Sequence, residues 1–386
     1  MLRRSSISLL PILRSYSHSH LDDSVEAILT THAKQISRLT GQITSEYDAR
    51  QRQLKEWRTS IDPTLQKVLQ CYSQNKYHPL VVGSAMTGLA SASEGSDVDL
   101  VLYTSTNEDI LERSRLSITS NTAHSEKVLK RAVGILERSG MNVRLKALFS
   151  RARHPIAKIQ VTVPRVKSHQ GGKKEAFLLE LSVDSMVHAR NSLFVHHSLQ
   201  ADKRVVMLYY WVKHWLRKCD LLGSQQGKFS SYHTILFVIH FLQYKNHMDM
   251  NPVLSLMIDQ YDDDLNPNLP FSHVYKIAST SELAHKQKTK NPMNTMQIGE
   301  LIVRFIDFYS RMNLHDFTLH IPSGTNIERT DDDYDHIQLV DPYSDGQSVC
   351  RVHQGVGQLS TAVELTRHAF SLGRGLSMPF SFTGRL

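Results

Sequence analysis

The chain has 386 residues, 40% of them hydrophobic, enough for about two ordinary globular domains. Its 45 Lys and Arg against 37 Asp and Glu leave a net charge of +8, a tilt toward a polyanion partner that falls short of a dedicated nucleic-acid packager. No apolar run approaches the ~20 residues of a membrane span, so no membrane partner is expected. Cys71, Cys219 and Cys350 stand far apart without zinc-type spacing, which predicts free thiols in a reducing compartment.

In chain order, "MLRRSSISLLPILRSYSHSH" is rich in arginine and serine and free of acids, the composition of an organellar transit peptide. Residues 1–20 are therefore expected to direct mitochondrial import, with a cytoplasmic protein carrying a basic tail as the alternative. Residues 21–76 mix apolar and charged positions at helical spacing, with Asp22 or Asp23 available as an N-cap. "PLVVGS" and "DVDLVLY" read as strands, "HSEKVLKRAVGILERSG" as an amphipathic helix ending at Gly140, and "VRLKALFSRA" and "IAKIQVTVP" as strands. "HQGGKK" at 169–174 reads as a turn before a further strand in "EAFLLELSVDS".

From about residue 191 the pattern changes to long helices, "DKRVVMLYYWVKHWLRKCDLL", "SSYHTILFVIHFLQYK" and "NTMQIGELIVRFIDFYSRMN". "LNPNLPFSHVYK" reads as a loop with two prolines, and "DFTLHIPSG" and "DHIQLVDPY" as extended segments. Arg367, Arg374 and Arg385 give a basic tail over 366–386. The expected class is α+β: a mixed-sheet domain over 77–190, then a mostly helical domain over 191–365, with the site in the cleft between them.

"VVGSAMTGLASASEGSDVDLVLY" (81–103) carries the chemistry. A strand ends at Gly83-Ser84 in a small-residue turn whose N–H groups suit phosphate. A second strand opens with Asp97 and Asp99, which share one face because strand side chains alternate. Two carboxylates held that close repel and are costly to bury, unless a divalent cation with oxygen ligands joins them. Later, Lys213 and Arg217 stand four apart on one helix face, where both can reach one triphosphate.

Hydrophobic-Gly-Ser, about ten residues, then Asp-x-Asp resembles the template-independent RNA 3′-end nucleotidyltransferases, the poly(A) polymerases and terminal uridylyltransferases with a DNA polymerase β-like catalytic domain. "HPIAKIQV", "KFSSYHTILFVIHFLQ", "IGELIVRFIDFY" and "LVDPYS" extend the resemblance in order over about 45–365, with a PAP-associated region at about 297–348. The resemblance implies a third acid at Glu180, where the family usually has Asp; Asp184, four residues on, is the rival. One Mg²⁺ (Mn²⁺ as substitute) would be held by Asp97, Asp99 and Glu180, and a second by Asp97 and Asp99. Gly83 and Ser84 would meet the terminal phosphates, Asn191 and Ser192 the nucleotide sugar, and Lys213 and Arg217 the triphosphate. Ser231 would contact phosphate, Tyr232 would stack on the base, and Asp341 would read it.

Where the family's uridylyltransferases use a histidine to select uracil, this chain has Gln347, which carries both a donor and an acceptor. ATP is therefore expected to be preferred over UTP, by a margin near one hydrogen bond. The implied substrates are an RNA 3′ end and a nucleoside triphosphate. With no added RNA-binding module in view, an RNA-binding partner protein or self-association is expected. The alternative within the class is a terminal uridylyltransferase or mixed-nucleotide tailing enzyme; the reading of another class is an inactive homologue acting as an RNA-binding scaffold.

Overall fold

The computed structural model describes residues 24–90, 97–111, 118–150, 155–163, 176–247, 250–256, 262–280, 294–329 and 335–376. The leader at 1–20 and the turn at 169–174 lie outside them. The N-terminal helical stretch is two helices, α1 (Val25–Thr31) and α2 (Ala33–Gln74), broken at His32. Ser24 caps α1 by accepting from the Ala27 N–H at 3.1 Å.

A five-stranded sheet follows: β1 (His78–Val82), β2 (Asp97–Tyr103), β3 (Val143–Phe149), β4 (Ile156–Thr162) and β5 (Ala176–Val183), with spatial order β1-β2-β5-β4-β3. β2 and β5 run parallel and every other pair is antiparallel. Between β1 and β2 lies a single helical turn, α3 (Gly83–Thr87), where the sequence suggested only a turn. Between β2 and β3 runs α4 (Ile118–Arg138).

The alternation of each strand divides its side chains between two cores. Val98, Leu100, Ile159 and Leu179 pack under α2 and α4. Leu80, Val82, Val101 and Tyr103 face the other way, into the cluster built by the C-terminal helices. Strand β4 alternates buried Ala157, Ile159 and Val161 with half-exposed Ile156, Lys158, Gln160 and Thr162, so its polar face opens on the side of the helical half.

That half contains α5 (Met186–Ala201), α6 (Lys203–Lys218), α7 (Ser231–Gln243), α8 (Phe271–Ser279) and α9 (Ile298–Arg311). A small sheet in the order β7-β6-β8 follows: β6 (Phe317–His320), β7 (Thr325–Glu328) and β8 (Leu339–Val340). The last helix is α10 (Gly355–Ser371). No helix among the described residues is long and apolar enough to cross a membrane.

Several elements differ from the sequence reading. Helix α8 begins in the expected loop, with Pro270 just ahead of it, a position proline tolerates because the first helical N–H groups have no partner anyway. Helix α5 crosses the expected boundary at 190/191, and α10 runs through the one at 365/366 and packs on α9. Strand β7 was not expected. The N-terminal helices are integral to the fold: a Cβ on Gly299 of α9 would meet the Ile36 carbonyl of α2 at 2.5 Å, so only glycine allows this approach.

The buried Phe370 ring of α10 stands 6.3 Å from the Trp211 ring. Phe370→Ala is expected to cost about 3–5 kcal/mol, while Leu365→Ala, at a side chain 38% exposed, changes stability by no more than ~0.5 kcal/mol. Urea unfolding of both variants checks this; a silent Phe370→Ala would make the C-terminal stretch a tail after all.

Candidate active site

Parallel pairing of β2 with β5 sets Asp99 directly beside Glu180, and Asp97 beside Leu178. Antiparallel pairing of β4 with β5 sets Lys158 on the other side of Glu180. One row across the sheet therefore reads Lys158, Glu180, Asp99, with Asp97 one step along the same face. Asp184 is elsewhere. It leaves the strand at φ 50°, and its carboxylate accepts from the Thr104 N–H at 2.7 Å and the Thr104 hydroxyl at 2.9 Å, closing the turn after β2.

Gly83 fixes the approach of the phosphate-type turn. Its φ is +64°, and a Cβ would lie 2.2 Å from Asp99 Oδ2. The Ser84 N–H donates to the Asp99 carboxylate, and the Gly83 N–H donates to Ser192 Oγ at 2.8 Å. Ser192 Oγ in turn donates to the His188 carbonyl at 2.6 Å. Ser192 is thus buried and engaged, and pins the turn to α5. From the far side Arg58 donates to the Ala85 carbonyl. Arg50 stacks 3.6 Å over the Tyr210 ring and reaches the Ala90 carbonyl at 3.5 Å. The sequence reading missed these two arginines and Lys158; alternation puts Lys158 on the polar face of its own strand, but only the register sets it beside Glu180, and nothing in the sequence pointed α2 at α3.

Burial, then the proximity of Glu180, pushes the Asp97 carboxyl up to about 7, with Lys158 acting in the opposite direction. Burial, then the negative charges of Glu180 and Asp97, pushes Asp99 up to about 7. The Lys158 ammonium is hydrogen-bonded to Glu180 Oε1 and lies 3.7 Å from Asp97 Oδ2. An all-carboxylate donor set whose charges are poorly neutralised fits a hard divalent cation. Among the described residues, however, no three acids, histidines or cysteines form a ready-made metal cage. Lys158 supplies the positive charge instead.

Toward the helical half, Asn191 Oδ1 is buried with no hydrogen-bond partner, an acceptor left for a donor from outside the protein. Lys213 and Arg217 stand one turn apart on α6, half-exposed and exposed. Ser231 is exposed at the first turn of α7, behind the capping Ser230. Tyr232 donates from its hydroxyl to Asp341 Oδ2 at 2.7 Å, and Asp341 Oδ1 accepts from the Tyr343 N–H at 2.9 Å. Asp341 is only 2% exposed. It therefore orients the Tyr232 ring through that bond. Gln347 is exposed on the turn after β8, where its N–H bonds the Ser344 carbonyl at 2.9 Å. Direct contacts thus tie Gly83, Ser84, Asp97, Asp99, Glu180 and Ser192 together, and separately Tyr232 and Asp341.

Residues 36–200 match the family model "Poly(A) RNA polymerase, mitochondrial-like, central palm domain". The poly(A) RNA polymerase gld-2 of Caenorhabditis elegans is 25% identical over 254 residues, 64% of this chain and 20% of that protein. GLD2 of Bos taurus is 23% identical over 281 residues, 71% of this chain and 51% of that one. The chain thus spans about half or less of the length of these relatives. Terminal uridylyltransferase 4 of Homo sapiens is 24% identical over 64% of this chain and 13% of its own. Among solved structures, the GLD-2/RNP-8 complex aligns with a TM-score of 0.61 at 18% identity, covering 88% of this chain and 94% of that one. Cid1 poly(U) polymerase with the UTP analog UMPNPP gives 0.58 at 17%, covering 91% and 99%.

The mixed sheet with the helices that follow it shares the fold of those polymerase structures. In sequence the chain is similar to poly(A) RNA polymerases and to a terminal uridylyltransferase alike.

Asp99 generates a prediction about the metal-free protein. Between pH 3.8 and about 7 the folded chain keeps a proton that the unfolded chain has released. Stability therefore falls as pH rises through that window, and the penalty is fully present above it. Asp99→Asn is expected to stabilise the metal-free protein at pH 8 by on the order of 1–4 kcal/mol, with little effect at pH 4. Thermal melting in a chelator at both pH values tests it. Gly83→Ala is expected to destabilise at either pH, since its Cβ collides with the carboxyl whether or not it is charged.

Proposed function

We propose that this chain adds nucleotides without a template to RNA 3′ ends, chiefly AMP from ATP. The observation that carries the reading is the in-register row of Asp99 and Glu180, with Asp97 beside it and the Gly83-Ser84 turn bonded to Asp99. Asp97, Asp99 and Glu180 would hold one Mg²⁺ and Asp97 with Asp99 a second, Mn²⁺ serving as substitute. Bound there, such ions supply charge neutralisation for the triphosphate and activate the 3′-hydroxyl. A variant of Cid1 poly(U) polymerase solved with MgATP supports this choice of cofactor.

The chain's own residues then bind and orient. The Ser84 hydroxyl faces the terminal phosphates, and Lys213 and Arg217 neutralise the triphosphate from α6. Asn191 offers its unpaired acceptor to a sugar hydroxyl. Tyr232, its hydroxyl tethered by Asp341, presents a fixed ring to the base. Asp341 as base reader can accept from the donor of either adenine or uracil, so choice between them rests on Gln347, whose amide can pair with either. Catalysis on this reading is mostly positioning and charge neutralisation.

The partners are an RNA 3′ end and a nucleoside triphosphate, with an auxiliary protein or a second copy supplying RNA affinity; the neighbouring GLD-2 was solved with RNP-8. A mitochondrial address rests on the composition of residues 1–20 and on the mitochondrial-like palm model. The domain division rests on the change from sheet to long helices near residue 190.

Labelled-nucleotide incorporation into an oligo(A) primer tests the reading. Asp97→Asn is expected to abolish extension, and Glu180→Gln to lower it at least ~100-fold, while Asp184→Asn stays active. The wild-type kcat/KM ratio of ATP to UTP is expected near ~5, the worth of one ordinary hydrogen bond, and Gln347→His should move it toward UTP. A strong wild-type preference for UTP would overturn the adenylyl assignment, and no incorporation of any of the four nucleotides would leave the RNA-binding scaffold reading.

A further inference from the structure

We propose that Lys158 is a built-in counter-cation that stands in for the primer-side divalent ion, so that the chain takes up one ion with its nucleotide and the Glu180-dependent ion only when RNA arrives. This rests on the functional reading above. The contacts are specific. Lys158 Nζ is hydrogen-bonded to Glu180 Oε1 and lies 3.7 Å from Asp97 Oδ2, while it acts on Asp99 through its charge. An ion shared by Glu180 and Asp97 needs the same space and the same lone pairs.

The departure at Glu180 helps explain the pairing. Adjacent strands lie ~4.8 Å apart, and Lys158, Glu180 and Asp99 are cross-strand neighbours in one row. The extra methylene of glutamate, compared with aspartate, lengthens the sideways reach toward β4 and its lysine. With Glu180 engaged, no three acids form a metal cage among the described residues. Asp97 and Asp99 still present oxygens next to the Gly83-Ser84 turn, which suits an ion that arrives already ligated by a triphosphate.

What releases Lys158 follows from its position. Its side chain is 19% exposed, on the half-open face of β4. The candidate phosphate ligand Ser84 lies on α3, which packs on β1 and β2, on the side of the acids away from β4. In-line attack brings the primer from the flank opposite the leaving pyrophosphate, which is the β4 flank. The RNA backbone therefore brings a phosphate anion to Lys158, and an ammonium exchanged onto that phosphate frees Glu180. Lys158 is thus a positioning residue that couples primer arrival to completion of the site.

The test counts bound Mn²⁺ by electron paramagnetic resonance, using a non-hydrolysable ATP analogue, with and without an oligo(A) primer ending in a 3′-deoxynucleotide. The wild type is expected to bind one Mn²⁺ without primer and a second, at least tenfold tighter, with it. Lys158→Met and Glu180→Asp are expected to bind the second without primer, while Lys158→Arg keeps the primer dependence because the charge remains. A wild type that binds two ions equally well without RNA, or none at all, overturns the proposal, as does unchanged primer dependence in Lys158→Met. Should Lys158→Met melt well below wild type, Glu180→Asp and Lys158→Arg decide: primer dependence lost in the first and kept in the second supports the latch, and any other pattern overturns it. An Mn²⁺ count that responds to Lys158 in a protein unable to extend RNA would sink the functional reading and leave the latch standing.

Discussion

The candidate site depends on the missing side chain of Gly83. With a Cβ there, the turn after β1 could not close on Asp99, since 2.2 Å separates that atom's position from a carboxylate oxygen. Because it is missing, the Ser84 N–H reaches Asp99 and the Gly83 N–H reaches Ser192. Three elements from different parts of the chain, α3, β2 and α5, are joined by these two bonds. The Ser84 bond also offsets part of the cost of burying a carboxylate among acidic neighbours.

The same logic extends outward. From the α2 side Arg58 holds α3 and Arg50 the Ala90 carbonyl just after it, and α2 packs on β1, on α4 and on α9. A long N-terminal helix thereby spans both cores, fixing the acidic face relative to the helices that carry Lys213, Arg217 and Tyr232. Reactions that rely on positioning need such rigidity, because an error of about an ångström at the reacting centre is costly. The Tyr232–Asp341 bond does the same for one aromatic ring.

Local periodicity made part of this legible. The shared face of Asp97 and Asp99 follows from strand alternation alone, as do the sheet-forming runs and the helices α4, α6, α7 and α9. Pairing partners were not legible. Glu180 and Asp184 have the same parity, and only the register of β5 against β2, together with the positive φ of Asp184, separates them. Helix α5 escaped notice because it is buried nearly all round, with Arg190, Ser192, His197 and Ser198 inside, so it shows no polar face. The engagement of Asp341 and Ser192 joins residues more than a hundred positions from their partners, which no local pattern reveals.

The strand order has a further consequence, for the time at which the site comes into being. The strands are synthesised as β1, β2, β3, β4, β5, yet β5 lies in the middle of the sheet, between β2 and β4. Until it emerges, β1 can pair only with β2 and β3 only with β4, as two separate antiparallel pairs. Insertion of β5 joins them and in the same movement brings Glu180 between Asp99 and Lys158. Completion of the sheet and assembly of the charges are one non-local event, and such pairings are the slow ones. The mutual repulsion of the acids opposes this final docking, and Lys158, already waiting on β4, is the charge that draws the last strand home.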